Sequence, residues 1–209
     1  MEADQQARRP RRAAKPEERG KAADQTRERV LQAALEEFGA KGYAGARTAG
    51  IAARAGVNQQ LISYYFGGKQ GVLDELRRRW RERQASLTPA GRSFDESFAG
   101  YLDDTLDNAD WSRLVIWRSL GDSPDAGAPG HREQKAGTAE AIASIRRRQA
   151  AGELTDVVEA EFILLLSHVL AFAPVALPQF VEAILGVKPH SAEYRQRCRE
   201  QLAALLAPQ

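Results

Sequence analysis

Between Thr48 and Lys69 the chain reads TAGIAARAGVNQQLISYYFGGK, and its polar residues are of the types that grip and read nucleic acid. Glutamine bonds adenine N6 and N7 in a bidentate way, a hydroxyl reaches a phosphate oxygen, and an apolar side chain meets the thymine methyl. Gln59, Gln60, Leu61, Ser63, Tyr64 and Tyr65 supply all three chemistries in one short run. Thr48 and Asn58 before them and Lys69 after them add a hydroxyl, an amide and an ammonium. These nine residues are the candidate DNA-binding set.

Reading needs a frame, and the same stretch supplies one. Thr48 is an N-cap type whose hydroxyl can bond the free amides of the next turn, and Ile51, Ala52 and Ala55 form one small apolar face behind it. Gly56 closes that helix, since a residue without Cβ takes a positive φ cheaply, and Val57 plugs the corner. Asn58 then caps a second helix, which turns Ile62 and Phe66 inward. Gln60 and Tyr64 face the opposite way, with Gln59 and Ser63 on one flank and Leu61 and Tyr65 on the other. A solvated amphipathic helix would show the same spacing; the following Gly67-Gly68-Lys69, a helix start suited to a backbone phosphate, favours the DNA reading. Gly50 sits early in the first motif helix, where it costs about 1 kcal/mol against alanine. Close approach to DNA is one reason for it, and sequence drift is another.

These residues resemble the tetracycline-repressor (TetR) family of bacterial transcriptional regulators. The likeness runs from about Arg27 to Leu76 and is carried by VLQAALEEFGAKGYAGART, IAARAGVNQQLISYYF and GGKQGVLDEL. It implies a phosphate contact at Thr48, base-facing positions at Gln59, Gln60 and Leu61, and further backbone contacts at Ser63, Tyr65 and Lys69. The chain departs from the family at Ser63, often tyrosine there, and at Leu61, often small or threonine.

The whole chain fits such an end joined to a larger part. Of its 209 residues 7% are aromatic, alanine and leucine abound, and no β-type alternation is sustained, so an all-α fold of about nine helices is expected. Residues 1–23 hold seven Lys/Arg against four Asp/Glu, residues 24–84 eleven against seven, and residues 85–209 twelve against seventeen. A basic first part and an acidic remainder suit a nucleic-acid-binding end attached to a part with another job. Cys198 is the single cysteine, no secretory signal is visible, and Phe162–Leu177 is too short and interrupted for a membrane span. A cytoplasmic location is expected.

Taken in order, residues 1–23 are expected to be a disordered basic arm, either reaching DNA through Arg8, Arg9, Arg11 and Arg12 or serving as a solubilising tail. Residues 24–68 form the helix-turn-helix domain, with helix one from about Asp24 to Lys41 burying Leu31, Ala34, Leu35 and Phe38 and ending at Gly42. Residues 69–88 form a connecting helix, its Arg77, Arg78, Arg79, Arg81 and Arg83 read as a solvated, salt-bridged face. Residues 89–209 form a ligand-binding and dimerisation domain. Its helices are expected near 94–108, 111–120 and 131–151, then one capped by Thr155 or Asp156, and a last from Ser191 to Leu206. GDSPDAGAPG, 121–130, reads as a flexible loop.

The helix around Phe162–Phe172 is apolar nearly all round, so a second copy of the chain is expected to cover part of it. Phe162, Leu165, Leu166, Val169, Leu202, Leu205 and Leu206 are the candidate dimer contacts, and a two-fold dimer suits a palindromic DNA site. Phe98, Tyr101, Trp111, Trp117, Phe162, His168 and Phe172 suit an apolar effector cavity, or simply core. His131, His168 and His190 lack metal-ligand spacing, Cys198 has no activating partner, and no phosphate-binding glycine loop occurs, so neither an enzyme nor a cofactor nor a metal is expected. The reading is a homodimeric repressor of a palindromic operator, released by a small molecule. The alternatives are an activator, a regulator without ligand, or a protein-interaction module.

Overall fold

The computed structural model describes residues 16–87, 91–121 and 130–208, and these form ten helices. They are α1 (Pro16–Gly45), α2 (Thr48–Ala55), α3 (Gln60–Phe66), α4 (Lys69–Leu87), α5 (Phe94–Asp107), α6 (Ala109–Ser119), α7 (Gly130–Ala150), α8 (Ala160–Ala176), α9 (Pro178–Leu185) and α10 (Ala192–Leu206). The arginines at 8, 9, 11 and 12 and most of the 121–130 loop lie outside the described residues.

The apolar side chains gather into two cores. In the first, Val30, Leu31, Ala34 and Phe38 of α1 cover Ile51, Ala52 and Ala55 of α2, Ile62 of α3 and Val72, Leu73 and Leu76 of α4. Trp111 and Leu114 of α6 complete it. The second core joins Phe98, Leu102 and Leu106 of α5 to Ile145, Ile163, Ala171 and Val181, with Tyr194, Cys198, Leu202 and Leu206 of α10. Helix α6 packs so tightly on α1 that a Cβ on Gly39 would lie 2.8 Å from the Asp110 carbonyl oxygen. Helix α4 is tied to α5 by Arg83, whose Nε lies 2.6 Å from the buried Asp104 carboxylate.

Several sequence expectations need correction. Helix α1 begins at Pro16, not Asp24; proline fits a first turn, but the extension covers no apolar stripe that periodicity could reveal. Within the assigned span Gly42 breaks the helical course at φ 68°, ψ 175°, so the expected stop there is correct. Helix α8 starts at Ala160 after Glu159, whereas Thr155 uses its amide to bond the Leu206 carbonyl at 2.9 Å. An additional helix, α9, lies between the apolar eighth helix and the last one, where no helix is expected, with Pro178 at its first turn. The arginine-rich face of α4 is paired as expected, Arg77 with Asp74, Arg78 with Glu75 and Glu82, and Arg79 with Glu75 and Glu28.

Leu202 and Leu206, expected at a dimer contact, are instead buried in the second core of their own chain. Phe162, Leu165, Val169 and Leu205 are exposed, and Leu166 is half-buried. Helix α8 thus buries Ile163, Ser167, Ala171 and Pro174 on its inner side and keeps apolar residues bare on its outer one. Among the described residues no single helix is long and apolar enough to cross a membrane.

Candidate nucleic-acid interface

Helix α2 stops because Gly56 turns left-handed at φ 64°, and the Val57 amide then bonds back to the Ala52 carbonyl at 3.0 Å. Val57 packs against the first core and fixes the corner. Asn58 Oδ1 accepts the Gln60 amide at 2.9 Å, satisfying a free donor at the start of α3 as its residue type predicts. Helix α3 closes on Gly67 at φ 71°, whose amide bonds the Ser63 carbonyl at 2.9 Å.

Between those fixed ends only Ile62 is fully buried. Gln59, Gln60, Ser63 and Tyr64 stand exposed, Tyr64 at 79%, while Leu61 and Tyr65 are half-buried. Phe66 is half-buried, short of the full burial expected, and the Arg27 guanidinium lies 5.2 Å from its ring centre. Tyr65 meets Tyr64 edge to face at 5.1 Å, so an aromatic row runs from the exposed surface to α1.

Two candidate residues have additional jobs. Thr48 is the first helical residue of α2, not its N-cap, a place taken by extended Arg47 without a side-chain bond. The Thr48 hydroxyl instead accepts the Gln59 side-chain amide at 2.8 Å, which braces α3 against α2. Lys69 donates from Nζ to the carbonyls of Tyr43 at 2.6 Å and Ala46 at 2.8 Å, and lies 4.3 Å from the Tyr43 ring centre. Two of its three donors thus lock the entry of α4 to the exit of α1. Tyr43 reinforces that lock by donating its hydroxyl to Gln70 Oε1 at 2.8 Å.

Gly50 has an internal reason. A Cβ there would fall 2.6 Å from Oε1 of Glu37, a buried carboxylate 2.7 Å from Lys41 Nζ and 3.3 Å from an Arg54 nitrogen. The Lys41 hydrogen bond, then that of Arg54, holds Glu37 below the ordinary carboxylate range against the cost of burial. Sequence spacing hid this contact because Glu37 and Gly50 belong to different helices. Arg47, a cation directly before the motif, stands exposed beside Thr48.

The seven residues expected around an effector do not surround one cavity. Trp111 stacks on Trp80 at 4.8 Å in the first core, and Trp117 donates from Nε1 to the Gly39 carbonyl at 3.2 Å. Phe98 is buried in the second core and Phe162 is exposed. Tyr101, half-buried Phe172 and His168 stay on that core's edge, with the Tyr101 and His168 rings 5.0 Å apart. His168 Nδ1 lies 2.9 Å from the Leu164 carbonyl, a contact that places the ring proton on Nδ1.

Comparison with known proteins agrees with this geometry. Residues 30–76 match the family model "Bacterial regulatory proteins, tetR family", and residues 96–205 match "Tetracyclin repressor-like, C-terminal domain". The HTH-type transcriptional repressor SCO4008 of Streptomyces coelicolor is 30% identical over 165 residues, 77% of this chain and 84% of that protein. The HTH-type transcriptional regulator BetI 1 of Chromohalobacter salexigens is 48% identical over 52 residues, 25% of this chain and 26% of that protein. Among solved structures, the transcriptional regulator SCO4942 of Streptomyces coelicolor shares the fold with a TM-score of 0.70 at 23% identity, covering 88% of this chain and 99% of that one. A TetR-family regulatory protein from Rhodococcus RHA1 does so with a TM-score of 0.67 at 17% identity, covering 88% and 98%. The chain belongs to the TetR family of helix-turn-helix DNA-binding transcriptional regulators.

Proposed function

We propose that this regulator is a repressor that binds a palindromic operator as a homodimer and releases it when a small-molecule effector binds. Residues 24–68 read the DNA, α4 connects, and residues 89–209 hold the partner copy and the effector. The observation that carries the DNA part is the exposed trio Gln60, Ser63 and Tyr64 on a helix whose Ile62 is buried and whose two ends are fixed. In the major groove Gln60 reads adenine, Leu61 meets a thymine methyl, and Ser63, Tyr64 and Tyr65 reach sugar and phosphate. Gln59 turns its remaining amide oxygen to a base while its nitrogen stays on Thr48. Arg47, Thr48 and the third donor of Lys69 hold the flanking phosphates.

One seven-residue recognition helix reads few bases, so specific binding needs a second copy related by a two-fold axis. The exposed Phe162, Leu165 and Val169 of α8 and Leu205 of α10 support such an axis, with Leu166 at its margin. The effector is assigned to the edge of the second core beside Tyr101, His168 and Phe172, the candidate residues that lie together there; burial raises the Tyr101 pKa and keeps its hydroxyl a proton donor. By linkage, an effector that favours wrongly spaced recognition helices weakens DNA binding as much as DNA weakens its own.

Selection of bound sequences from random duplex DNA, followed by competition at two salt concentrations, tests the reading. A palindrome bound well above random duplex is the expected result, and transcription from a promoter bearing it should fall when the protein is present. A rise in transcription would identify an activator. Binding with no sequence preference, or none at all, would overturn the operator-specific reading.

A further inference from the structure

Helix α9 interrupts the path from α8 to α10 and carries an apolar face that its own chain leaves bare. Leu177, Phe180 and Ile184 follow one another at spacings of three and four and are 49%, 57% and 76% exposed. The opposite side is firmly seated: Val181 is buried, Leu185 packs on the second core, and an Arg197 guanidinium nitrogen lies 2.7 Å from the Leu185 carbonyl oxygen. The bare face therefore belongs to a fixed helix. Helix α8 has its own outward stripe, Phe162, Leu165, Val169 and Ala176, again at spacings of three, four and seven. That stripe ends at Leu177, the corner at which α9 departs at 106°.

Area decides what covers α9. Phe162, Leu165, Val169 and Leu205 are each exposed by 53% to 58%, about 100 Å² apiece on the scale of a large apolar side chain, so together they offer about 400 Å². A lasting homodimer buries at least about 1,000 Å² per partner with about 65% of it apolar, so about 650 Å² of apolar surface is required. Those four side chains supply about three-fifths of it. The three α9 side chains add roughly 350 Å² and close the gap.

Resting on the homodimer proposed above, we infer that α9 is a second, lateral part of the dimer contact, in which Leu177, Phe180 and Ile184 of each copy cover apolar surface of the other. The bend at Leu177 turns a flat helix pair into a corner. A corner resists sliding and rotation, and so helps to fix the spacing of the two recognition helices.

Sedimentation equilibrium on the full chain tests this with three proteins: the parent, Leu165→Glu, and the double variant Phe180→Ser/Ile184→Ser, each checked for helix content by circular dichroism. The expected result is a dimeric parent, dissociation by Leu165→Glu, and at least a tenfold rise in the dimer dissociation constant for the double variant at unchanged helix content. An independent measurement is alkylation of Ile184→Cys, with the buried Cys198 as the slow internal reference; the introduced thiol should react at least tenfold faster below the dissociation constant than above it. If Leu165→Glu dissociates while the double variant keeps the parent constant and the introduced thiol reacts equally at both concentrations, the α9 contact is wrong and the homodimer stands. If the parent is a monomer throughout, both are wrong. If only the double variant dissociates, α9 is upheld and the α8 contact is not. Flotation of the parent with phosphatidylglycerol vesicles, lost in the double variant without change in the dimer constant, would assign the face to lipid and overturn the inference.

Discussion

The Tyr194 hydroxyl donates to the Leu170 carbonyl at 2.7 Å, and this carbonyl is the one that Pro174, four residues on, leaves without a helical donor. Proline inside a helix costs its turn one hydrogen bond, and here a side chain from α10 supplies the replacement within the second core. Removing that donor leaves a shielded carbonyl oxygen unmet. Tyr194→Phe should therefore destabilise the fold by about 1–2 kcal/mol, a drop of roughly 3–6 °C in Tm. In a Pro174→Ala background the restored amide meets Leu170, so the same Tyr194→Phe change should cost less than half as much. Equal costs in both backgrounds, measured by thermal melting, would count against the pairing.

Gly50 and Glu37 make a similar bargain between helices α2 and α1. Alanine at 50 gains about 1 kcal/mol in helix propensity yet places its methyl carbon 2.6 Å from the Glu37 carboxylate. Displacing a buried charge from Lys41 and Arg54 outweighs that gain, so Gly50→Ala should destabilise by about 1–3 kcal/mol. Shortening the obstructing side chain reverses the outcome. Gly50→Ala should be neutral or stabilising in a Glu37→Ala background, and urea midpoints of the four proteins give the sign directly.

The parts of this molecule that were readable in advance are those governed by neighbours in sequence. Gly56, Asn58 and Ile62 act within a turn of where they stand, so the motif's corner, cap and buried face follow from residue type. The apolar period of α1 and the glycine at 42 are legible for the same reason. Contacts across the fold were not. Lys69 reads as a phosphate ligand by type, and nothing near it in sequence tells that two of its three donors go to the carbonyls of Tyr43 and Ala46. Trp111 suits a cavity by composition, but only the placement of α6 against α1 and α4 brings it onto Trp80. Leu202 and Leu205 are both leucines on one helix, and the core rather than their type decides that the first turns in and the second out. Helix α9 escaped because a proline marks a helix's first turn as readily as a break.

Acid should loosen the junction of α4 with α1. Hydrogen bonds from Arg78, then Arg79, hold Glu75 at a pKa of about 2 against an ordinary 4.5, and the Arg79 pair lowers Glu28 as well. A folded pKa below the unfolded one means that the unfolded chain binds the proton first as pH falls. The stabilisation is therefore complete above about pH 4.5 and is lost progressively toward about pH 2. Thermal melting from about pH 7 down to about pH 3 should show a falling Tm, and Glu75→Gln should lower the neutral value and flatten the acid limb. A variant whose acid limb is as steep as the parent's would place the proton uptake elsewhere.

On DNA, Gln60 and Arg47 should fail in different ways. Gln60 stands exposed at the start of α3 with no core role, so on the proposed reading Gln60→Ala should remove a base contact alone. Loss of a bidentate base contact is worth about 1–3 kcal/mol, so affinity for the selected operator should fall about 5- to 150-fold per half-site while random duplex is bound as before. Arg47→Ala removes a cation without a base, so both kinds of DNA should weaken together and the salt slope should drop by about one per contact. Gln59 is the informative third case, because its amide nitrogen is held by Thr48. If that bond positions the side chain, Thr48→Val and Gln59→Ala should be less than additive on the operator, and strictly additive losses would show that the two residues meet DNA independently.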